Sequence, residues 1–273
     1  MSILSLQFVG YLGTGLVAGV IAGLFGIGGG IVIVPALLFL FHQDGINPVI
    51  SMQLAVGTSL ATIIFTNLSA TWHHQQRQSV HWPMVRRYLP GVLLGAWLGA
   101  QLVAILDAST LRGLFGLFEL AIALRLLRPD PPPAGPAIPH PPSTPPSVHT
   151  RWIAAAIGTL STLFGIGGGT LLVPALTLLS GLTILQAIGS SSAIGAILAL
   201  VGTTGMIQSG WENTALPPDT LGFVVPLAGL GVVIGTLTST PLGVKLAHNT
   251  DPQSLKKGFG LLLLLVGVKL LWQ

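Results

Sequence analysis

Two glycine clusters are the residues best suited to chemistry in this chain. Gly26-Ile27-Gly28-Gly29-Gly30 lies within 24–37, LFGIGGGIVIVPAL, and Gly165-Ile166-Gly167-Gly168-Gly169 lies within 163–176, LFGIGGGTLLVPAL. The two stretches are identical at 11 of 14 positions. An interior glycine costs a helix about 1 kcal/mol relative to alanine. Four in five residues therefore predict a broken helix, supported by Pro35 and Pro174 just downstream. Within a bilayer the amides freed by such a break find no partner in lipid, so the break must line a protein-walled cavity. The half-helix that follows starts with open N–H donors and a positive partial charge, which suit an anion. The expected binding set is Gly26, Gly28, Gly29, Gly30 and Ile31 in the first copy, and Gly165, Gly167, Gly168, Gly169 and Thr170 in the second.

Polar side chains in apolar surroundings extend that set. Ala55-Val56-Gly57-Thr58-Ser59 matches Ala187-Ile188-Gly189-Ser190-Ser191, and Thr58, Ser59, Ser190 and Ser191 offer hydroxyl donors. Asn67 adds two more donors. Each has a plainer reading, because membrane hydroxyls often bond their own helix or join neighbouring helices. Glu119 lies mid-segment and is placed to carry a coupling proton; Arg112, seven residues earlier on the same helix face, makes an ion pair the other reading. His73, His74 and His81 flank Arg77 at a helix end, where interfacial histidines are ordinary, so no metal site is expected. There is no cysteine, hence no disulfide or thiolate site, and no cofactor is expected.

Enzyme readings fit poorly. The glycine cluster lacks the Gly-Lys-Ser/Thr end of a phosphate-binding P-loop, and Ile31 and Thr170 stand where GxGxxG needs glycine. Ser190–Ser192 with His248 would be a candidate serine–histidine pair. Proteolysis needs one such pair, whereas this chain duplicates its motif.

The elements that position these residues must be membrane helices. Only 18 of 273 residues are formally charged, 7%, whereas 51% are hydrophobic, and mean hydropathy is +0.82. A soluble domain carries about 25% charge. The segments 1–43, 45–76, 88–106, 152–211 and 220–244 hold no Asp, Glu, Lys or Arg. Each exceeds the roughly 18 apolar residues that cross a bilayer. They do not alternate as barrel strands do. The chain reads as an all-α polytopic membrane protein. Its net charge of +4 does not point to nucleic acid, because the cations sit at the ends of apolar runs.

Residues 129–150 hold ten of the twenty prolines and read as an extended aqueous linker. It separates two repeats, 1–128 and 151–273, each with four apolar segments: 4–41, 48–71, 88–106 and 108–127, then 152–180, 184–208, 221–247 and 254–272. The glycine segment of each repeat either crosses as a broken helix or re-enters as two half-helices. The charges favour re-entry. With eight crossings and the N-terminus inside, seven of the eleven basic residues lie inside. With re-entrant glycine segments and both termini outside, the repeats are inverted and nine lie inside, leaving only Arg112 and Lys269 outside. The linker is then cytoplasmic.

Gly19, Gly23-Leu24-Phe25-Gly26-Ile27-Gly28-Gly29-Gly30, Val34-Pro35-Ala36-Leu37 and the second copy, each followed by the Gly-Thr/Ser-Ser segment, resemble the sulfite exporter TauE/SafE family of membrane permeases. The resemblance spans nearly the whole chain apart from the linker. It implies transport of sulfite, of sulfonates such as sulfoacetate, or of related sulfur anions across the prokaryotic cytoplasmic membrane. The anion would sit between the repeats under alternating access, with a proton or sodium as coupling ion. A passive anion channel would use the same broken helices and hydroxyls.

Overall fold

A computed structural model describes residues 3–25, 29–128, 148–249 and 252–272. Gly26 and Gly28 of the expected binding set, and most of the Pro-rich linker, lie outside them. The described residues form ten helices: α1 (Ile3–Phe25), α2 (Gly30–Gln43), α3 (Pro48–Gln76), α4 (Trp82–Ile105), α5 (Ala108–Leu127), α6 (Val148–Leu163), α7 (Gly169–Leu178), α8 (Ile184–Gly210), α9 (Pro226–Asn249) and α10 (Pro252–Trp272). Among them no strand forms; a single bridge joins Leu221 to Val224 before α9. Helix α6 begins at Val148, three residues inside the stretch read as linker.

Local chemistry sets the helix starts. Asn47 and His81 cap α3 and α4 by accepting from Val49 and Met84 amides, and a proline follows each cap within two residues, where its missing N–H costs nothing. Asp107 caps α5 through the Thr110 amide. Thr183 and Gln186 form a reciprocal capping box at α8.

Each glycine segment becomes two helices, α1 and α2 in the first repeat and α6 and α7 in the second. About a third of the way along α1, Tyr11 meets Phe41 edge-on at 6.2 Å and donates a hydrogen bond to Asp44, just past the end of α2. At the second segment the marker comes from the other repeat: Tyr88 of α4 meets Ser180, just after α7, at 3.0 Å. One turn along, Gly91 packs against Arg151 near the start of α6. The outer ends of α6 and α7 therefore lie at the same level.

The repeats pack by exchange. Helix α1 lies along α9, α4 along α6, α3 along α8 and α5 along α10. Gly15 abuts Val232 and Gly19 abuts Thr236 and Ser239, so α1 and α9 run in the same direction. Gly91, Gly95 and Gly99 meet Arg151, Ala155 and Thr159 in turn, so α4 and α6 do too. The other two pairs run oppositely: Gly189, Gly195 and Gly202 meet His74, Asn67 and Leu60, while Gly116 meets Gly267 and Gly260 meets Leu127. A Cβ at Gly95 would stand 2.0 Å from the Ala155 carbonyl oxygen, so these helices approach to backbone contact because the glycines permit it.

The surface reverses that of a soluble protein. Thr58, Ser59, Asn67, Glu119, Ser161, Thr162, Ser190 and Ser191 are buried, whereas Phe65, Leu94, Leu98, Leu117, Leu200 and Leu265 are exposed. Four helices, Pro48–Gln76, Trp82–Ile105, Ile184–Gly210 and Pro226–Gly243, are long and apolar enough to cross a bilayer. All six tryptophans are exposed, and Trp72, Trp82, Trp152, Trp211 and Trp272 stand within a turn or so of helix ends, the level of the bilayer interface.

Candidate functional site

The second break is fully described. Helix α6 stops at Leu163, and Gly165, Gly167 and Gly168 take φ of 62°, 63° and 81° before α7 begins. Residues with a side chain rarely adopt these left-handed angles, so glycine is required here. At the first break Gly29, φ 73°, matches Gly168 as the N-cap residue. The two starts bond alike: Val32 and Ile33 amides donate to Gly29 O, and Leu171 and Leu172 amides to Gly168 O. The amides of Gly30, Ile31, Gly169 and Thr170 precede the first intrahelical bond and are the open donors of each helix start. Pro35 and Pro174 lie inside α2 and α7, not at the breaks. There they remove the amides that would pair with the carbonyls of Ile31 and Thr170, four residues back.

The breaks touch. A Cβ at Gly30 would lie 2.4 Å from Gly165 O and 2.8 Å from Ile166 Cα, so the start of α2 rests on the backbone of the second break. Helix α3 of the first repeat ties that backbone in place. Ser59 Oγ donates to Gly165 O at 2.8 Å, and Asn67 Nδ2 donates to Gly167 O at 3.4 Å. Gly195 on α8 admits this contact, because a Cβ there would stand 2.3 Å from Gly167 O and 2.5 Å from Asn67 Nδ2. On the remaining side, Phe164 stacks on Phe118 of α5 at 4.5 Å and meets Phe115 edge-on at 5.9 Å.

Not every expected donor faces the breaks. Thr58 Oγ1 accepts the Val225 amide at 3.0 Å, and Ser190 Oγ accepts the His81 amide at 2.9 Å. These corresponding hydroxyls hold the chain entering α9 and α4. Gly57 and Gly189 beside them let the Phe223 and Ser79 carbonyls approach closely. Ser191 Oγ donates to Ile188 O of its own helix. Glu119, fully buried on α5, has no hydrogen-bond partner on either carboxyl oxygen, so the ion pair with Arg112 does not form.

Two hydroxyls escaped the sequence reading. Ser161 and Thr162, fully buried at the end of α6, have no hydrogen-bond partner, and neither does the buried Oγ1 of Thr170. Thr203 on α8 and Ser239 on α9 are buried without a partner in the same way, so such hydroxyls are not confined to the break. The signal lay in the repeat: where the second copy has Ser161, Thr162 and Thr170, the first has Ala22, Gly23 and Ile31. Ser59 and Asn67 are engaged with the carbonyls of the second break, so its open donors are the neutral amides that start α7 and the Thr170 hydroxyl. They can surround a small anion without a compensating cation.

The family model described as sulfite exporter TauE/SafE matches residues 11–270. A probable membrane transporter protein of Haemophilus influenzae is 33% identical over 259 residues, covering 94% of this chain and 95% of the relative. The probable membrane transporter protein YunE of Bacillus subtilis is 30% identical, covering 98% of each. A probable membrane transporter protein of Methanocaldococcus jannaschii is 26% identical, over 89% of this chain and 87% of its own. No solved structure matches. With its duplicated glycine breaks, apolar surface and these relatives, the chain belongs to the sulfite exporter TauE/SafE family of membrane transporters.

Proposed function

We propose that the protein carries small sulfur-containing anions, sulfite or organosulfonates such as sulfoacetate, across the prokaryotic cytoplasmic membrane. The anion binds between the repeats, on the amides that open α2 and α7 and on the hydroxyls beside the second break. The observation that carries this reading is the seating of Gly30 on Gly165 and Ile166, which sets the start of α2 against the second break. The repeats are inverted. Parallel α1·α9 and α4·α6 with antiparallel α3·α8 and α5·α10 is the pattern of a two-fold axis across the helix bundle. Eight simple crossings would make all four pairs parallel. Inverted repeats that meet at broken helices suit alternating access, because exchanging the repeats' conformations turns an outward opening inward. Both termini face outward and the linker is cytoplasmic.

Thr170 tests the site. Thr170→Val keeps the shape and removes a buried hydroxyl without a protein partner. Stability is expected to hold or rise, by up to about 1–3 kcal/mol, while anion affinity falls roughly tenfold through a lost charge-assisted hydrogen bond. Thr170→Asp puts a carboxylate on the helix start, where the helix tolerates it and the anion does not. Saturable flux driven uphill by an ion gradient in proteoliposomes separates a carrier from a channel. Unchanged anion affinity in both folded variants would mean the breaks serve packing alone.

Glu119 is the candidate carrier of a coupling proton, with sodium as the other expected coupling ion. Glu119→Gln preserves shape without a titrating group. Proton-driven uphill uptake is expected to vanish while anion exchange at equilibrium persists. Intact proton-driven uptake would remove Glu119 from the mechanism.

A further inference from the structure

Arg112 and Lys269, the two cations that fall on the outer side in the nine-to-two count, line one cavity. Arg112 stands near the start of α5 and Lys269 near the end of α10. These helices pack in opposite directions, so the residues share one end of the pair. The cavity, about 740 Å³, lies between α2, α5 and α10 and reaches from His42 in the last turn of α2 to Ile31 in its first. Those eleven steps of helix cover about 16 Å. Among the described residues that line it none is acidic, and three, His42, Arg112 and Lys269, are basic. Lys269 Nζ sits 5.0 Å from the centre of the Phe39 ring, another of the lining residues. Asp44, the acidic residue nearest in sequence, is engaged by Tyr11.

We propose that this cavity is the outer vestibule through which the anion reaches the first glycine break. Two cations over low-dielectric walls concentrate an anion at the mouth. The apolar face of α2 takes the carbon part of an organosulfonate. Ile31, whose amide belongs to the first turn of α2, closes the inner end. The proposal rests on the anion-transport reading and adds its entrance. The repeat supplies the counterpart: Arg125 and Lys256 occupy the positions corresponding to Lys269 and Arg112, at the other end of the α5–α10 pair.

The test exploits the absence of native cysteine. Ala36→Cys, within the cavity, is modified from outside by two membrane-impermeant methanethiosulfonates, the anionic ethylsulfonate and a cationic trimethylammonium reagent. Val32→Cys, on the same wall, serves if Ala36→Cys inserts poorly. The anionic reagent is expected to react faster. Adding Arg112→Gln and Lys269→Gln should cut the anion-to-cation rate ratio about tenfold at low salt, and the difference should shrink in concentrated salt. An unreactive cysteine, or a ratio indifferent to the double change, overturns the vestibule. The same basic pair could hold a lipid phosphate, so the ratio is measured in phosphatidylcholine with and without phosphatidylglycerol. A ratio equal in both supports a free-anion entrance; one that collapses with phosphatidylglycerol assigns the pair to lipid and overturns it. None of these readouts requires transport, so failure of sulfur-anion flux in the wild type would overturn the transport reading separately.

Discussion

Gly29 and Gly30 are sequence neighbours under different physical constraints. Gly29 needs its left-handed backbone, but a Cβ there would meet nothing nearer than 3.5 Å. Gly29→Ala should cost only that strain, about 1–2 kcal/mol, and leave flux measurable. Gly30 has ordinary helical geometry, but a Cβ there would stand 2.4 Å from Gly165 O. Gly30→Ala must push the breaks apart, so flux should fall more than about tenfold, beyond what its loss of stability explains. Thermal unfolding and proteoliposome flux on both variants check this; equal flux losses would mean that contact between the breaks is immaterial. Asn67 bears on the same locus. Asn67→Leu leaves the Gly167 carbonyl buried and unpaired, an expected loss of about 1–3 kcal/mol, read as a lower melting temperature.

At the scale of helices, glycines pack wherever one repeat crosses the other. Gly95 faces Ala155 across the α4–α6 contact with no room for a methyl group, whereas a Cβ at Gly113 on α5 would meet nothing within 4 Å. Gly113→Ala should therefore be neutral or stabilising by up to about 1 kcal/mol of helix propensity. Gly95→Ala should destabilise by about 1–3 kcal/mol through overpacking. Melting temperatures in detergent decide the matter, and a stable Gly95→Ala would show that α4 and α6 have slack. The pattern shared by the two repeats also acts at this scale. The Gly-Thr/Ser pairs at Gly57-Thr58 and Gly189-Ser190 receive the chain entering α9 and α4, one residue by yielding space and the next by accepting an amide.

The molecule as a whole should sit in the membrane with both termini outward. Asn213 and Gln76, both exposed, lie past and near the ends of α8 and α3. On the inverted arrangement, Asn213→Cys should react with impermeant thiol reagents from outside and Gln76→Cys only from the cytoplasmic face. Labelling of Asn213→Cys from the cytoplasm alone would refute the inverted topology. Shortening 131–146 should leave flux nearly unchanged, since that stretch lacks the apolar residues to build a packed core.

The membrane class, the duplication and the positions of the breaks were all legible in the sequence, because each depends on local properties. Charge-free runs dictate partition into lipid, four glycines in five residues dictate where a helix stops, and an 11-of-14 match dictates repetition. Helix starts at Asn47, His81, Asp107 and Thr183 likewise follow from side chains within a few residues of the caps. What each polar group does was decided by packing between the repeats. Thr58 and Ser59 are adjacent and chemically alike, yet one accepts from Val225 on the way into α9 and the other donates to Gly165 at the break. Ser161 and Thr162 look like ordinary residues of an apolar helix until the fold buries them without partners. Arg112 and Lys269, 157 positions apart, meet in one cavity only because α5 and α10 run in opposite directions. Local sequence sets where a chain bends; which hydroxyl, amide or cation then faces another depends on contacts a hundred or more residues apart, and those exist only in the folded bundle.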